Sequence, residues 1–322
     1  MKRLIFFALI LCLALTACKP ANPEPAVTKV TLNLTYIPNV QFAPFYVAIE
    51  KGYFAKYGIE VSLAYGNEAD LVALVGSDNK QFMIASGEQV LLSRAQGLPV
   101  ISVREWYKDY PVGVAFLKSS QISQPDDLRG KVIGLPGLYG ANYIGFEALA
   151  AHAGLTDADY ELRSIGFTQV EALVTDQVDA VVVYLANEPV QLRARGYEIN
   201  VLRVADALSL VGNCLVTNEK SLSERPDLVQ GMVSAMEEAL AATAADPEMA
   251  YEVSRKYVEN LSADDPIQLQ VLLESIKLWQ IESDTSEVEV KRWENMQTVL
   301  LDLGLMTNQI EVRGAFSDAF TQ

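Results

Sequence analysis

From Lys29 onward, short apolar runs alternate with stretches of helical periodicity. Residues 30–37, 59–65, 81–86 and 100–105 read as strands, and residues 42–52, 71–75 and 89–96 between them as helices. That alternation predicts a mostly parallel sheet, because each parallel pair needs a helical crossover and a strand covered on both faces reads as a continuous apolar run. A second set follows the polar passage 121–128, with strands at 131–135, 160–165 and 178–184 and helices at 141–153, 170–175 and 190–195. Residues 113–117, 200–204 and 211–217 are further strands, the last directed back toward the first set. Beyond Asn218 the pattern changes to long helices over 225–245, 247–258, 266–279 and 288–303. The expectation is an α/β protein of two lobes, each a mixed, mostly parallel sheet flanked by helices, with a ligand in the cleft between them. Residues 29–115 and 217–322 form the first lobe and 116–216 the second, because the apolar faces of the C-terminal helices need a partner and the second lobe is already closed. The halves share an architecture without a sequence repeat.

Residues 35–54, TYIPNVQFAPFYVAIEKGYF, combine a strand end, a Pro-Asn loop rich in aromatic and amide side chains, and a helix. Ligands of open α/β sheets sit at such places, since a helix N-terminus offers unpaired N–H groups beside the carboxyl end of a strand. Tyr36, Asn39 and Phe42 are the candidates here, and equivalent loops add Asn67, Glu68, Ser86, Glu88, Trp106, Tyr139, Gln169, Tyr184, Asn187 and Glu188. Plainer roles stand beside these: Asn67 and Ser86 as helix N-caps, Glu88 and Glu188 as charges favoured at helix N-termini, Trp106 as a plug at the end of the core. The glycine-bearing loop 136–142 has neither the dinucleotide spacing nor the P-loop lysine.

Half of the 322 residues are hydrophobic and 20% are charged, a globular composition. Forty-one acidic against 25 basic residues give a net charge of −16, which repels phosphate backbones and excludes nucleic acid as a natural partner. At the N-terminus, Lys2-Arg3, an apolar run over 4–15 and Leu15-Thr16-Ala17-Cys18 have the order of a signal peptide. Cleavage before Cys18, lipid attachment to Cys18 and a Pro-rich tether over 18–28 are expected, which places the protein on the outer face of the cell membrane. Cys12 then leaves with the signal, and Cys214, in an apolar run, reads as a core residue with no disulfide partner. The single histidine, His152, lies at a helix end, and one histidine suggests neither a metal site nor a catalytic triad. No catalytic residue, metal or cofactor is expected, and the protein is expected to act as a monomer.

Pro38-Asn39 with Ala43, then Tyr46-Val47-Ala48 and Glu50-Lys51-Gly52-Tyr53-Phe54, together with Asp127-Leu128-Arg129-Gly130-Lys131, resemble the SsuA/ThiY-like family of ABC-transporter solute-binding proteins. The resemblance covers most of 29–260. It implies a type II periplasmic binding protein fold, a small-molecule ligand, and permease and ATPase subunits as partners. The pyrimidine binders of this family tend to carry an acid and a tryptophan before the Pro-Asn and a histidine four residues after the proline. This chain has Thr35, Tyr36 and Phe42 there. The fuller pattern, with LPGLYGANYIG and NEPVQL, resembles the family's riboflavin-binding lipoproteins, so riboflavin is the leading ligand. A thiamine-precursor pyrimidine is the alternative, and a pyrimidine-processing enzyme would be expected to need more Cys and His than this chain has. In this reading Tyr36, Phe42, Trp106 and Tyr139 stack on the ring. Asn39, Gln169, Asn187, Glu88 or Glu188 pair with its polar edge, and Asn67, Glu68 or Ser86 take the ribityl hydroxyls.

Overall fold

The computed structural model describes residues 27–280 and 286–320. The signal segment, the expected lipidation site Cys18 and most of the tether lie outside the described residues. Ten strands are described: β1 (Thr28–Leu34), β2 (Ile59–Tyr65), β3 (Phe82–Ser86), β4 (Val100–Glu105), β5 (Val112–Leu117), β6 (Val132–Leu135), β7 (Glu161–Ser164), β8 (Ala180–Tyr184), β9 (Ile199–Arg203) and β10 (Asn213–Asn218). They form two five-stranded sheets, in the orders β2-β1-β3-β10-β4 and β7-β6-β8-β5-β9.

The two orders match position by position, and each sheet has one reversed strand. β1 runs parallel to β2 and β3, and β6 parallel to β7 and β8. β10 is antiparallel to β3 and β4, and β5 to β8 and β9. The reversed strand is in each case the one that has just arrived from the other lobe. Crossing therefore takes place over 106–111 and 204–212, not at the expected limits 116 and 216. β5 belongs to the second lobe from Val112 onward, and β10 to the first from Asn213. β10 is buried along its whole length and sends Cys214, Leu215 and Val216 to both faces, so its sequence carries no mark of which sheet it joins.

The C-terminal helices pack on the first lobe, Pro226–Ala245 against Ala43–Glu50 and Ser286–Asp302 against Gly87–Ala95. Pro266–Trp279 also touches Glu188–Ala194 of the second lobe, and Val190 shares an apolar cluster with Trp279. A second cluster joins Met83 and Val90 of the first lobe to Val112, Ile133 and Phe146 of the second. The lobes are thus in apolar contact on either side of the cleft. Cys214 is fully buried in β10, and His152 lies in the last turn of the helix Gly140–His152.

Candidate functional site

The carboxyl ends of the parallel strands point into one place. β1 leads to Thr35–Asn39, β2 to Gly66–Glu68, β6 to Pro136–Tyr139, and β8 to Leu185–Glu188. Between them lies a cavity of about 580 Å³ lined from both lobes. That volume suits a small organic ligand rather than an ion or a polymer.

Ten of the thirteen candidate residues line this cavity: Tyr36, Phe42, Asn67, Glu68, Trp106, Tyr139, Gln169, Tyr184, Asn187 and Glu188. Asn39, Ser86 and Glu88 do not. Asn39 caps the short helix Val40–Phe42, its Oδ1 accepting from the Gln41 N–H at 3.0 Å. Ser86 is buried and turned to Glu68, whose Oε1 accepts from the Ser86 backbone N–H at 2.6 Å and from its hydroxyl at 2.8 Å. Glu88 is fully buried behind that pair. The helices begin one to three residues earlier than the apolar periodicity predicts, at Glu68, Gly87, Gly140 and Glu188. Polar and glycine residues of a first helical turn look like loop in sequence, and so all three acids become first-turn residues on the favourable side of a helix dipole.

Aromatic rings enclose the cavity in two groups. Trp106, 3% exposed, is built into the first lobe's core, its ring centroid 5.6 Å from Phe42, 5.2 Å from Phe45, 4.8 Å from Tyr107 and 5.7 Å from Trp279. It closes the end of the cavity as a plug and presents little ring face, unlike the open stacking wall expected from its loop position. The second group is accessible. Tyr36 of the first lobe meets Phe167 of the second edge to face at 5.0 Å, and Tyr139 stands 64% exposed at the mouth. Phe167, an aromatic ring in a turn after Gly166, was a signal available in sequence. Asn213 was not, because only the return of β10 brings it beside Tyr184, whose hydroxyl donates to its Oδ1 at 3.5 Å.

The polar edge is built from amides and carboxylates. Gln169 is 3% exposed, lines the cavity, and its side-chain amide has no hydrogen-bond partner among the described residues. Glu188 accepts from the Tyr184 N–H at 2.9 Å and from Asn187 Nδ2 at 3.0 Å, while Asn187 Oδ1 accepts from Gln191 at 2.9 Å. Burial pushes the Glu188 carboxyl up to about 7 against the pull of those donors. The Tyr36 phenol is held well above its ordinary value by burial and then by the charge of Glu188. Burial, and next the charge of Glu68, push Glu88 up to about 8, and neither Glu88 oxygen has a well-placed hydrogen-bond partner among the described residues.

This buried acid has a consequence for stability. The folded chain holds a proton on Glu88 that the unfolded chain, with its ordinary carboxyl value of 4.5, releases. Its contribution is therefore fullest below that value and is lost as pH rises through about 8. Glu88→Gln is expected to melt at least about 5 °C above the parent near pH 8 and level with it near pH 4.5, at about 1.4 kcal/mol per pKa unit and 2–4 °C per kcal/mol. Equal melting temperatures at both pH values would show that Glu88 titrates normally.

Stacking, burial and hydrogen bonding are what this geometry offers. Among the described residues no group of three His, Cys, Asp or Glu side chains is placed to hold a metal. The family model described as NMT1/THI5 like matches residues 39–250. The chain belongs to the NMT1/THI5-like family. Among its relatives, the riboflavin-binding protein RibY of Chloroflexus aurantiacus is 36% identical over 95% of this chain and 89% of that protein. The formylaminopyrimidine-binding protein of Halalkalibacterium halodurans is 31% identical over 61% of this chain and 60% of that protein. A 4-amino-5-hydroxymethyl-2-methylpyrimidine phosphate synthase of Legionella pneumophila is 29% identical over 70% of this chain and 72% of that enzyme. The family thus includes proteins named for binding and proteins named for synthesis. In fold the chain is similar to the periplasmic aliphatic sulphonate binding protein SsuA of Escherichia coli, with a TM-score of 0.73 over 91% of this chain and 97% of that one at 14% identity. The two-lobed α/β architecture of periplasmic binding proteins is therefore this chain's own.

Proposed function

We propose that this NMT1/THI5-like protein is the extracytoplasmic substrate-binding component of an ABC importer, anchored through lipid on Cys18, and that it carries riboflavin to a permease. The observation that supports this most is the composition of the cavity between the lobes. Accessible rings from both lobes, an unpartnered buried amide at Gln169 and no Lys, Arg or His among the lining residues suit a flat, neutral heteroaromatic with a donor–acceptor edge. A buried amide without a partner costs about 1–3 kcal/mol, so the ligand that satisfies Gln169 is favoured over rings that cannot. The relative named for riboflavin matches nearly the whole chain, whereas the one named for formylaminopyrimidine matches less than two thirds. Contacts from both lobes would stabilise the closed form when ligand is present, and the closed form is what a permease would recognise.

Titration of riboflavin with the protein lacking residues 1–18 is expected to quench flavin fluorescence stoichiometrically. Absence of quenching, together with a melting temperature raised by an aminopyrimidine, would replace riboflavin by a thiamine precursor in the same transport role.

A further inference from the structure

Glu68 occupies an unusual position for a residue of a ligand cavity. Its Oε1 is held by two donors of Ser86. Its Oε2 faces the opposite lobe, where a Cβ built on Gly140 would lie 3.8 Å away. Gly140 begins the thirteen-residue helix Gly140–His152, whose first N–H groups are the natural place for a ligand anion in this cavity. The Glu68 carboxylate faces that helix start from the first lobe, without a hydrogen bond to its N–H groups among the described residues. Glu88 stands directly behind, and Glu188 lines the second lobe's wall. None of the residues lining the cavity is Lys, Arg or His.

We infer that Glu68 is the specificity-determining residue that confines this site to neutral, non-phosphorylated ligands, acting as a built-in anion at the helix N-terminus. Resting on the reading of the cavity as a flavin site, it assigns the dephosphorylated vitamin as ligand and excludes riboflavin 5′-phosphate. A phosphate brought into the cleft would meet the Glu68 carboxylate, whose charge the two Ser86 donors favour against the upward push of burial, in a water-poor space with no Lys, Arg or His among the lining residues, and desolvated like charges are strongly unfavourable. Discrimination of this kind works by repulsion and leaves attractive contacts to the ring unaltered.

Affinities for riboflavin and for its 5′-phosphate, measured by fluorescence quenching on the parent and on Glu68→Gln, test the assignment. The substituted amide would keep an oxygen able to accept from Ser86 while removing the charge. The parent is expected to prefer riboflavin by about a hundredfold or more, and the variant to narrow that ratio at least about tenfold. Equal affinity of the parent for both flavins overturns the inference without recourse to any variant, as does an unchanged ratio in a folded Glu68→Gln protein. Should neither flavin bind, the flavin reading falls separately. The charge rule is then decided by melting-temperature shifts with a hydroxymethylpyrimidine, its phosphate and inorganic phosphate. Stabilisation by either phosphate greater than by the neutral ring overturns it, and the absence of any phosphate effect in the parent upholds it.

Discussion

Arg292→Met is expected to destabilise the protein by about 3–5 kcal/mol, the cost of leaving a buried charge without its partner. Arg292 and Glu105 are 4% and 5% exposed, and the guanidinium donates to the Glu105 carboxylate and to the Lys108 carbonyl. These contacts tie the C-terminal helix Ser286–Asp302 to the end of β4 and to the first crossing between lobes. Burial already holds the Glu105 carboxyl above its ordinary value in spite of the arginine. The attraction therefore only partly offsets desolvation, and removal of the cation exposes the full penalty. A second replacement, Glu105→Leu on top of Arg292→Met, is expected to restore more than half of the loss, since an apolar pair carries no desolvation cost. Chemical denaturation of both variants decides this, and a single-variant loss below about 1 kcal/mol would mean that the pair is already neutralised or hydrated.

Trp106→Ala is expected to cost about 3–5 kcal/mol of stability, as for other buried aromatic truncations, and in addition to weaken binding of the proposed riboflavin ligand about tenfold or more. The stability term follows from the four ring neighbours that lose a packing partner. The affinity term follows from the position of Trp106 at the closed end of the cavity, where a void would let Phe42 and Tyr107 relax away from the ligand. Trp279→Ala separates the two. Trp279 is 7% exposed within the same cluster but does not line the cavity. Its truncation is expected to cost similar stability with affinity changed less than about threefold. Equal affinity losses in both variants would show that Trp106 acts on the ligand only through the packing of the whole aromatic cluster.

The element pattern was legible over most of the chain because both of its signals are local. Near-continuous apolar runs mark β3 and β8, shorter apolar stretches mark β4 and β10, and 3.6-residue periodicity marks the helices Pro226–Ala245 and Pro266–Trp279. The candidate site was legible in outline for a related reason. Ligand loops follow the carboxyl ends of parallel strands, so identifying the strands identified Tyr36, Asn67, Tyr139, Tyr184 and Asn187 as neighbours of one cleft. Asn39 and Ser86 were harder to place, because capping a helix and meeting a ligand call for the same short polar side chain in the same loop.

By itself, the sequence determined a two-lobed α/β protein, the aromatic, amide- and acid-bearing character of its cleft and the family to which it belongs, since these depend on residue type and on spacing along the chain. Tertiary structure alone decided where the chain crosses between lobes, that Trp106 lies in the core and Phe167 at the mouth, and that Glu68 faces Gly140 across the cleft. Those facts depend on pairings between residues far apart in sequence, among them β10 with β3 and Tyr36 with Phe167. Such pairings are selected by the free energy of the whole packed arrangement, and local pattern carries little of that information.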